Sequence, residues 1–183
     1  MTERLADFAG KAAHKAAEIT DKVMGAAHVE RSRVTDYIGI LSAAPQEFAK
    51  ACGTVAEHHP EETEIQMGMK QLASFSLASE FEFQPFVDKY GKVESEEAVK
   101  LSSVLFPVVR AGAFGLLRDL HSLFIMATEI HVSLAIVMQA SKELRDEEML
   151  ALCIVTDETN KRQQAWINTQ IEHRASHTTV VPQ

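Results

Sequence analysis

The stretch from residue 101 to residue 139 is the most apolar part of the chain, and it limits what the chain can fold into. As a helix with 100° per residue, this stretch places apolar side chains on nearly every face. Such a helix belongs either in the centre of a bundle or in a membrane. A membrane span is disfavoured, because the carboxylate of Glu129 near its middle would be costly in a bilayer. We therefore predict a buried helix in a soluble helical bundle.

The composition favours a single helical domain in the cytoplasm. The chain of 183 residues is long enough for one complete core, and it contains only 8 Gly and 5 Pro. A formal charge of −8 argues against a nucleic-acid partner, because such partners are bound by basic surfaces. The first residues lack the apolar segment of a secretory signal, which predicts a cytoplasmic protein. Cys52 and Cys153 lie in apolar surroundings and are predicted to be buried free thiols.

Helix-breaking and helix-capping residues divide the chain into segments. We predict one domain over residues 1–183, with an N-terminal helix at 1–28, a bundle at 29–177 and a tail at 178–183. Strand patterns are nearly absent from the sequence. The N-terminal helix has a narrow face made mostly of alanine, which favours close packing against another helix.

Two prolines determine how the bundle is connected. Pro45 removes a backbone donor in the middle of a helical region, and it is predicted to begin a new helix there. Pro107 predicts either a kink or a break of the long apolar segment near residues 106–108. A kink would give an up-down bundle, whereas a break would turn residues 92–106 into a connector between two hairpins.

The arrangement with two hairpins, residues 30–88 and 108–176, resembles the layout of ferritin-like bundles. The sequence slightly favours this arrangement, because a short connector explains the position of Pro107. The resemblance concerns helix layout alone, so no functional residue is carried over from it. The predicted fold is therefore all-α, an antiparallel bundle of four long helices plus an N-terminal helix, with either a ferritin-like or an up-down layout.

A metal site in the bundle core is the most specific chemical hypothesis. The Glu-x-x-His pairs that two-metal carboxylate sites use do not occur in this sequence. The candidate ligands that remain are Glu129, His121, Asp157 and Glu158, with iron or another transition metal as the ion. No resident cofactor is predicted beyond such an ion.

Each candidate ligand also has a structural interpretation. Asp157 and Glu158 each precede a basic residue by four positions, a spacing typical of ion pairs on an exposed helix face. A buried Glu129 would need an ion pair or hydrogen bond from a neighbouring helix. His121 fits a core histidine with a hydrogen-bond partner. These interpretations stay open beside the metal site.

For function, we expect a non-enzymatic helical protein that forms a homo-oligomer or binds a protein partner. Nucleophile motifs and glycine-rich phosphate loops are absent from the sequence. The long helix is apolar on more faces than a small bundle covers, and oligomerisation would bury the surplus. One alternative is a ferritin-like bundle that binds a metal or cofactor at a non-standard core site. A second is a bundle that binds lipid or an apolar ligand, with any membrane contact made through residues 1–27.

Overall fold

Helices account for most of the structure of the described residues. The computed structural model describes residues 33–79, 81–91 and 95–180, and these ranges contain six helices and no β-strand. The predicted all-α class is therefore confirmed. The predicted N-terminal helix at 1–28 and the last residues of the predicted tail, 181–183, lie outside the described residues.

The first described helix, α1, covers residues 33–58 without interruption. The prediction that Pro45 begins a new helix is therefore wrong. A proline inside a helix costs about 3 kcal/mol through its missing donor and its ring. Pro45 is buried here, however, and Leu41 and Phe48 on the same part of the helix are also buried. Packing of this apolar face outweighs the local cost, so the helix continues.

A turn of four residues separates α1 from α2, Thr63–Ala78. Pro60 disfavours the helical conformation at His59, so α1 ends at this point. The backbone N–H of Glu62 donates a hydrogen bond to the His59 carbonyl at 3.2 Å and closes the turn. α1 and α2 consequently form a helical hairpin.

Two short helices lie between α2 and the long C-terminal pair. α3, Gln84–Tyr90, carries a proline in its first turn and ends at Gly91, whose φ of 105° is accessible mainly to glycine. α4 is Glu97–Leu105. Residues 106–111 are not helical, so the predicted break around Pro107 is confirmed.

Among the described residues, the two longest helices are α5, Gly112–Leu144, and α6, Glu147–Thr179. Arg145 has a left-handed backbone with φ 54°, which reverses the chain between them. The Asp146 carboxylate then accepts a hydrogen bond from the Met149 N–H at 3.1 Å and caps α6. Because only two residues separate the helices, α5 and α6 pack antiparallel.

The buried face of α6 mixes apolar and polar side chains. Asn160 and Gln164 both donate side-chain hydrogen bonds to the Ala127 carbonyl of α5, at 2.8 and 2.9 Å. Gln163 donates a hydrogen bond to the Leu72 carbonyl of α2 at 3.1 Å. Side-chain amides therefore tie α6 to the backbones of two neighbouring helices.

Within the compact unit that begins at Thr35, α5 has one buried side and one exposed side. The helix predicted to be buried is therefore buried on one side only, and its exposed side carries apolar side chains, as expected for a helix that is apolar on more faces than a small bundle covers. By length and composition α5 could also cross a membrane, a property that core helices of soluble proteins share. The side chains that α5 contributes to the core include Leu116, Leu120, Leu123, Ala127, Leu134 and Val137.

Candidate functional site

Asp119 lies at the centre of a buried polar cluster where α1, α5 and the connection before α5 meet. Its side chain has no exposed surface. Its Oδ2 atom lies 3.0 Å from both His58 Nδ1 and His59 Nε2. Its Oδ1 atom accepts a hydrogen bond from Arg110 Nη1 at 2.7 Å. A buried carboxylate is costly without such partners, and here three side chains supply them.

The local sequence explains how two adjacent histidines reach one carboxylate. His58 is the last residue of α1, and His59 leaves the helix because Pro60 follows it. The two imidazole rings therefore differ in orientation by 75°, with their centroids 6.2 Å apart. Asp119 lies two turns into α5 on its buried side, where both rings can approach it.

Arg110 connects the cluster to the end of α4. Its Nη2 atom donates a hydrogen bond to the Leu105 carbonyl at 2.7 Å, and its Nη1 atom donates one to Ser122 Oγ at 3.2 Å. The guanidinium also lies over the Phe106 ring, 6.0 Å from its centroid. Arg110 therefore neutralises Asp119 and also holds the connection between α4 and α5 in place.

The cluster could hold a metal ion. One nitrogen from each of His58 and His59 and one oxygen of Asp119 lie within 4.8 Å of one another. Imidazole nitrogen and carboxylate oxygen are both ligands of divalent transition metals. Among the described residues, this is the one group of three or more histidine, cysteine or acidic side chains whose ligand atoms lie this close together.

The residues predicted as metal ligands lie outside this cluster. Glu129, His121 and Glu158 are exposed. The expectation that Glu129 and His121 lie in the core is wrong, because α5 turns that side outward. Glu158 lies 3.9 Å from Arg162, which agrees with the exposed ion pair that the spacing predicts. Metal binding by Glu129, His121, Asp157 and Glu158 stays a prediction.

Asp157 forms a second, smaller cluster between α5 and α6. It is buried, so the prediction of an exposed position is wrong, although the predicted ion pair with Lys161 forms at 2.7 Å. His131 Nδ1 of α5 lies 2.5 Å from the other carboxylate oxygen. Burial by itself raises the pKa of Asp157, but hydrogen bonds and charge from Lys161 and His131 outweigh it and lower the pKa below its ordinary value of 3.8. Asp157 is therefore a charged link between two helices at neutral pH.

The exposed side of α5 carries a row of apolar side chains, here called the α5 stripe, about 33 Å long at 1.5 Å per residue. His121 lies in the same row, as do the oppositely charged Arg118 and Glu129. Neither charged residue has an ion-pair partner among the described residues, and Glu129 accepts one long hydrogen bond there, from Ser133 Oγ at 3.5 Å. The exposed apolar members of the stripe are Phe114, Ile125, Val132 and Ile136.

A cavity of about 210 Å³ lies beside the stripe, between α1, α4 and α5. The carboxylates of Glu97 and Glu129 are the charged groups in its described lining. The cavity therefore suits a group that combines an apolar stem with a positive charge. Its apolar lining consists of Ile40, Ala44, Ala98, Leu101, Met126 and Ile130.

The Asp119 cluster was not predicted as a site from the sequence. The two histidines precede Asp119 by 61 and 60 positions, so only the folded chain brings them together. Two signals were present in the sequence, namely an acid within the apolar stretch and a histidine pair directly before Pro60. What the sequence did not show was that the end of α1 meets the start of α5.

Comparison of the chain with known protein families, with curated proteins and with solved structures finds no match.

Proposed function

We propose that this protein acts by self-association, with α5 of one copy packed against α5 of a second copy. The observation that carries this proposal is the α5 stripe. Phe114 and Val132 within it are 57% and 46% exposed, as measured on a single chain. Four of the seven positions along the stripe are exposed apolar side chains, and monomeric proteins rarely leave large apolar patches in water. Its burial would contribute roughly 25 cal/mol per Å² of apolar area.

The two charged residues in the stripe favour a second copy as the partner. Arg118 and Glu129 are 11 residues apart, so they lie three turns and about 16 Å apart and point in nearly the same direction. In an antiparallel pair with its two-fold axis near residues 123–124, Arg118 of each copy faces Glu129 of the other. A parallel pair would place like charges opposite each other. The charges therefore favour the antiparallel arrangement.

The cavity beside Glu129 supports the same register. An arginine from a second copy that reaches Glu129 also comes to the cavity whose lining includes Glu97. Its aliphatic stem suits the apolar lining, and its guanidinium suits two carboxylates. The charges of Arg118 and Glu129 also cancel within the stripe. Two copies that each carry an overall charge of −8 therefore repel each other only weakly at this contact, because salt at physiological concentration screens charges more than about 8 Å away.

Charge reversal tests the antiparallel register. Arg118→Glu or Glu129→Arg alone removes two attractive pairs from the dimer and creates two repulsive ones. At about 0.5 kcal/mol for each of these four changes, the dimer weakens by about 2 kcal/mol, or about 30-fold in Kd. The double variant carries both reversals and restores opposite charges, so its Kd should return toward that of the unmodified protein. Sedimentation velocity over a concentration series measures all four proteins.

A matched pair of variants tests the stripe itself. Val132→Glu places a carboxylate in the stripe and should weaken the dimer strongly, whereas Val155→Glu on the exposed face of α6 should not. Equal association of the single and double charge variants would refute the register. Dissociation by Val155→Glu as strong as that by Val132→Glu would refute the location. A monomeric unmodified protein that instead floats with lipid vesicles would assign the stripe to a bilayer and refute self-association.

We further infer that α1, α2, α5 and α6 form an antiparallel bundle with a ferritin-like layout. Leu72 contacts Gln163, and Glu64 contacts Gln170, which supports opposite directions for α2 and α6. The end of α1 meets the start of α5, which supports a second antiparallel pair. α2 and α5 then run parallel, joined by a crossover that contains α3 and α4. An experimental structure in which α2 and α5 run antiparallel would contradict this layout.

A further inference from the structure

We propose that His58, His59 and Asp119 bind one divalent transition metal ion, such as Zn²⁺, Co²⁺ or Fe²⁺. The three side chains are almost wholly buried, with exposures of 10%, 3% and 0%. Two imidazoles and one carboxylate form a ligand set that such ions favour and that Mg²⁺ and Ca²⁺ do not. This site lies apart from the α5 stripe and does not depend on self-association.

The ligand atoms are already close to the positions that an ion requires. In a tetrahedral site with bonds of about 2.0–2.2 Å, neighbouring ligand atoms lie roughly 3.3 Å apart. His58 Nδ1 and His59 Nε2 are each 3.0 Å from Asp119 Oδ2, so these two separations need to open by only a few tenths of an ångström. The two nitrogens lie no more than 4.8 Å apart and need to move closer by about 1.5 Å at most. Side-chain rotation is enough for such changes.

Replacement of two hydrogens of the cluster by a metal ion also balances in protons. A carboxylate oxygen only accepts hydrogen bonds, so in the metal-free cluster each ring nitrogen that faces Asp119 carries a hydrogen. The ion takes the place of these two hydrogens. A neutral imidazole then carries its single hydrogen on the opposite ring nitrogen and releases no proton, whereas a protonated imidazole releases one.

Arg110 contributes to this site from outside it. It binds Asp119 Oδ1 at 2.7 Å and leaves Oδ2 facing the two histidines. Contacts of this kind orient metal-binding carboxylates in many proteins. With three protein ligands, the ion keeps at least one position for water or another small ligand.

Titration of the untagged, full-length protein with Co²⁺ tests the proposal, because visible absorption bands report the number and type of ligands. Calorimetry with Zn²⁺ gives the stoichiometry and affinity. We expect one ion per chain, with the Kd raised at least about tenfold in His58→Gln and in His59→Gln. His177→Gln near the exposed C-terminal end of α6 is the matched control and should bind like the unmodified protein. Circular dichroism confirms that each variant is folded.

Two results would overturn the proposal. One is the absence of stoichiometric uptake by the folded, unmodified protein. The other is unchanged binding in both cluster variants together with its loss when His173 and His177 are both replaced by glutamine. That result would move the ion to the exposed histidine pair on α6. Light scattering on the same samples tests self-association independently of metal binding. The mass of His59→Gln should equal that of the unmodified protein, whichever result the titration gives.

Discussion

A methyl group added at Gly68 should displace Trp166, and this displacement measures how closely α2 and α6 pack. A Cβ atom at Gly68 would lie 2.1 Å from Trp166 Cζ2 and 2.3 Å from Cη2. Ordinary contacts between carbon atoms are about 3.5–4.0 Å. The indole ring must therefore move by more than an ångström away from α2 in the Gly68→Ala variant.

Two opposing effects determine the stability of this variant. Alanine in place of glycine inside a helix stabilises it by about 0.5–1 kcal/mol. Overpacking typically costs about 1–3 kcal/mol. Gly53 in α1 isolates the first effect, because an added Cβ there meets no atom within 4 Å. The difference in unfolding free energy between Gly53→Ala and Gly68→Ala, about 1–3 kcal/mol, is then the cost of moving Trp166.

Thermal unfolding at one fixed protein concentration measures both variants. In a chain of this size, 1 kcal/mol corresponds to about 2–4 °C in Tm. Gly53→Ala should raise Tm by about 1–4 °C, and Gly68→Ala should unfold about 2–12 °C below Gly53→Ala. Trp166 is the single tryptophan, so its fluorescence should shift only in Gly68→Ala. Equal stabilisation by both substitutions, with unchanged emission, would refute the packing described for Trp166.

Two further predictions concern titratable groups in the core. Asp157→Asn should destabilise the protein most at neutral pH. Because the pKa of Asp157 is lowered below its ordinary value of 3.8, its stabilisation is present above 3.8 and is lost as the pH falls through the lower folded value. The unfolding free energies of the variant and the unmodified protein in urea should therefore converge at a pH below 3.8, and a constant difference would contradict the ion pair. Burial raises the pKa of the Cys52 and Cys153 thiols to about 12. Both should therefore react slowly with a thiol reagent at pH 8 in the folded protein and rapidly in denaturant. Fast reaction of the folded protein would contradict their burial.

The helix boundaries followed from local chemistry, and the sequence could therefore predict them. Pro60 and Pro107 disfavour helical backbone at the residues before them, and both lie where a helix ends or is absent. Asp146 provides a cap at the start of α6. Pro45 is the exception, because burial of neighbouring apolar residues outweighs its local preference. Local signals therefore hold unless tertiary packing opposes them.

The orientation of α5 and the composition of the site could not be predicted in the same way. α5 is apolar on both its buried and its exposed sides, so periodicity did not show which side Glu129 occupies. Asn160 and Gln163 resemble surface residues in the sequence, yet they are buried because backbone carbonyls of neighbouring helices accept their hydrogen bonds. The partners of Asp119 likewise depend on which helix ends meet. Each of these features depends on contacts between helices, which a single helix pattern does not specify.

The mass of the full-length protein in solution tests the central claim most directly. Size-exclusion chromatography with light scattering, at physiological salt and over a range of concentrations, distinguishes a single chain of 20.3 kDa from a pair. Burial of the α5 stripe between two copies predicts a mass of twice that value, which falls toward one chain on dilution or in Val132→Glu. A mass of 20.3 kDa at every concentration would contradict it.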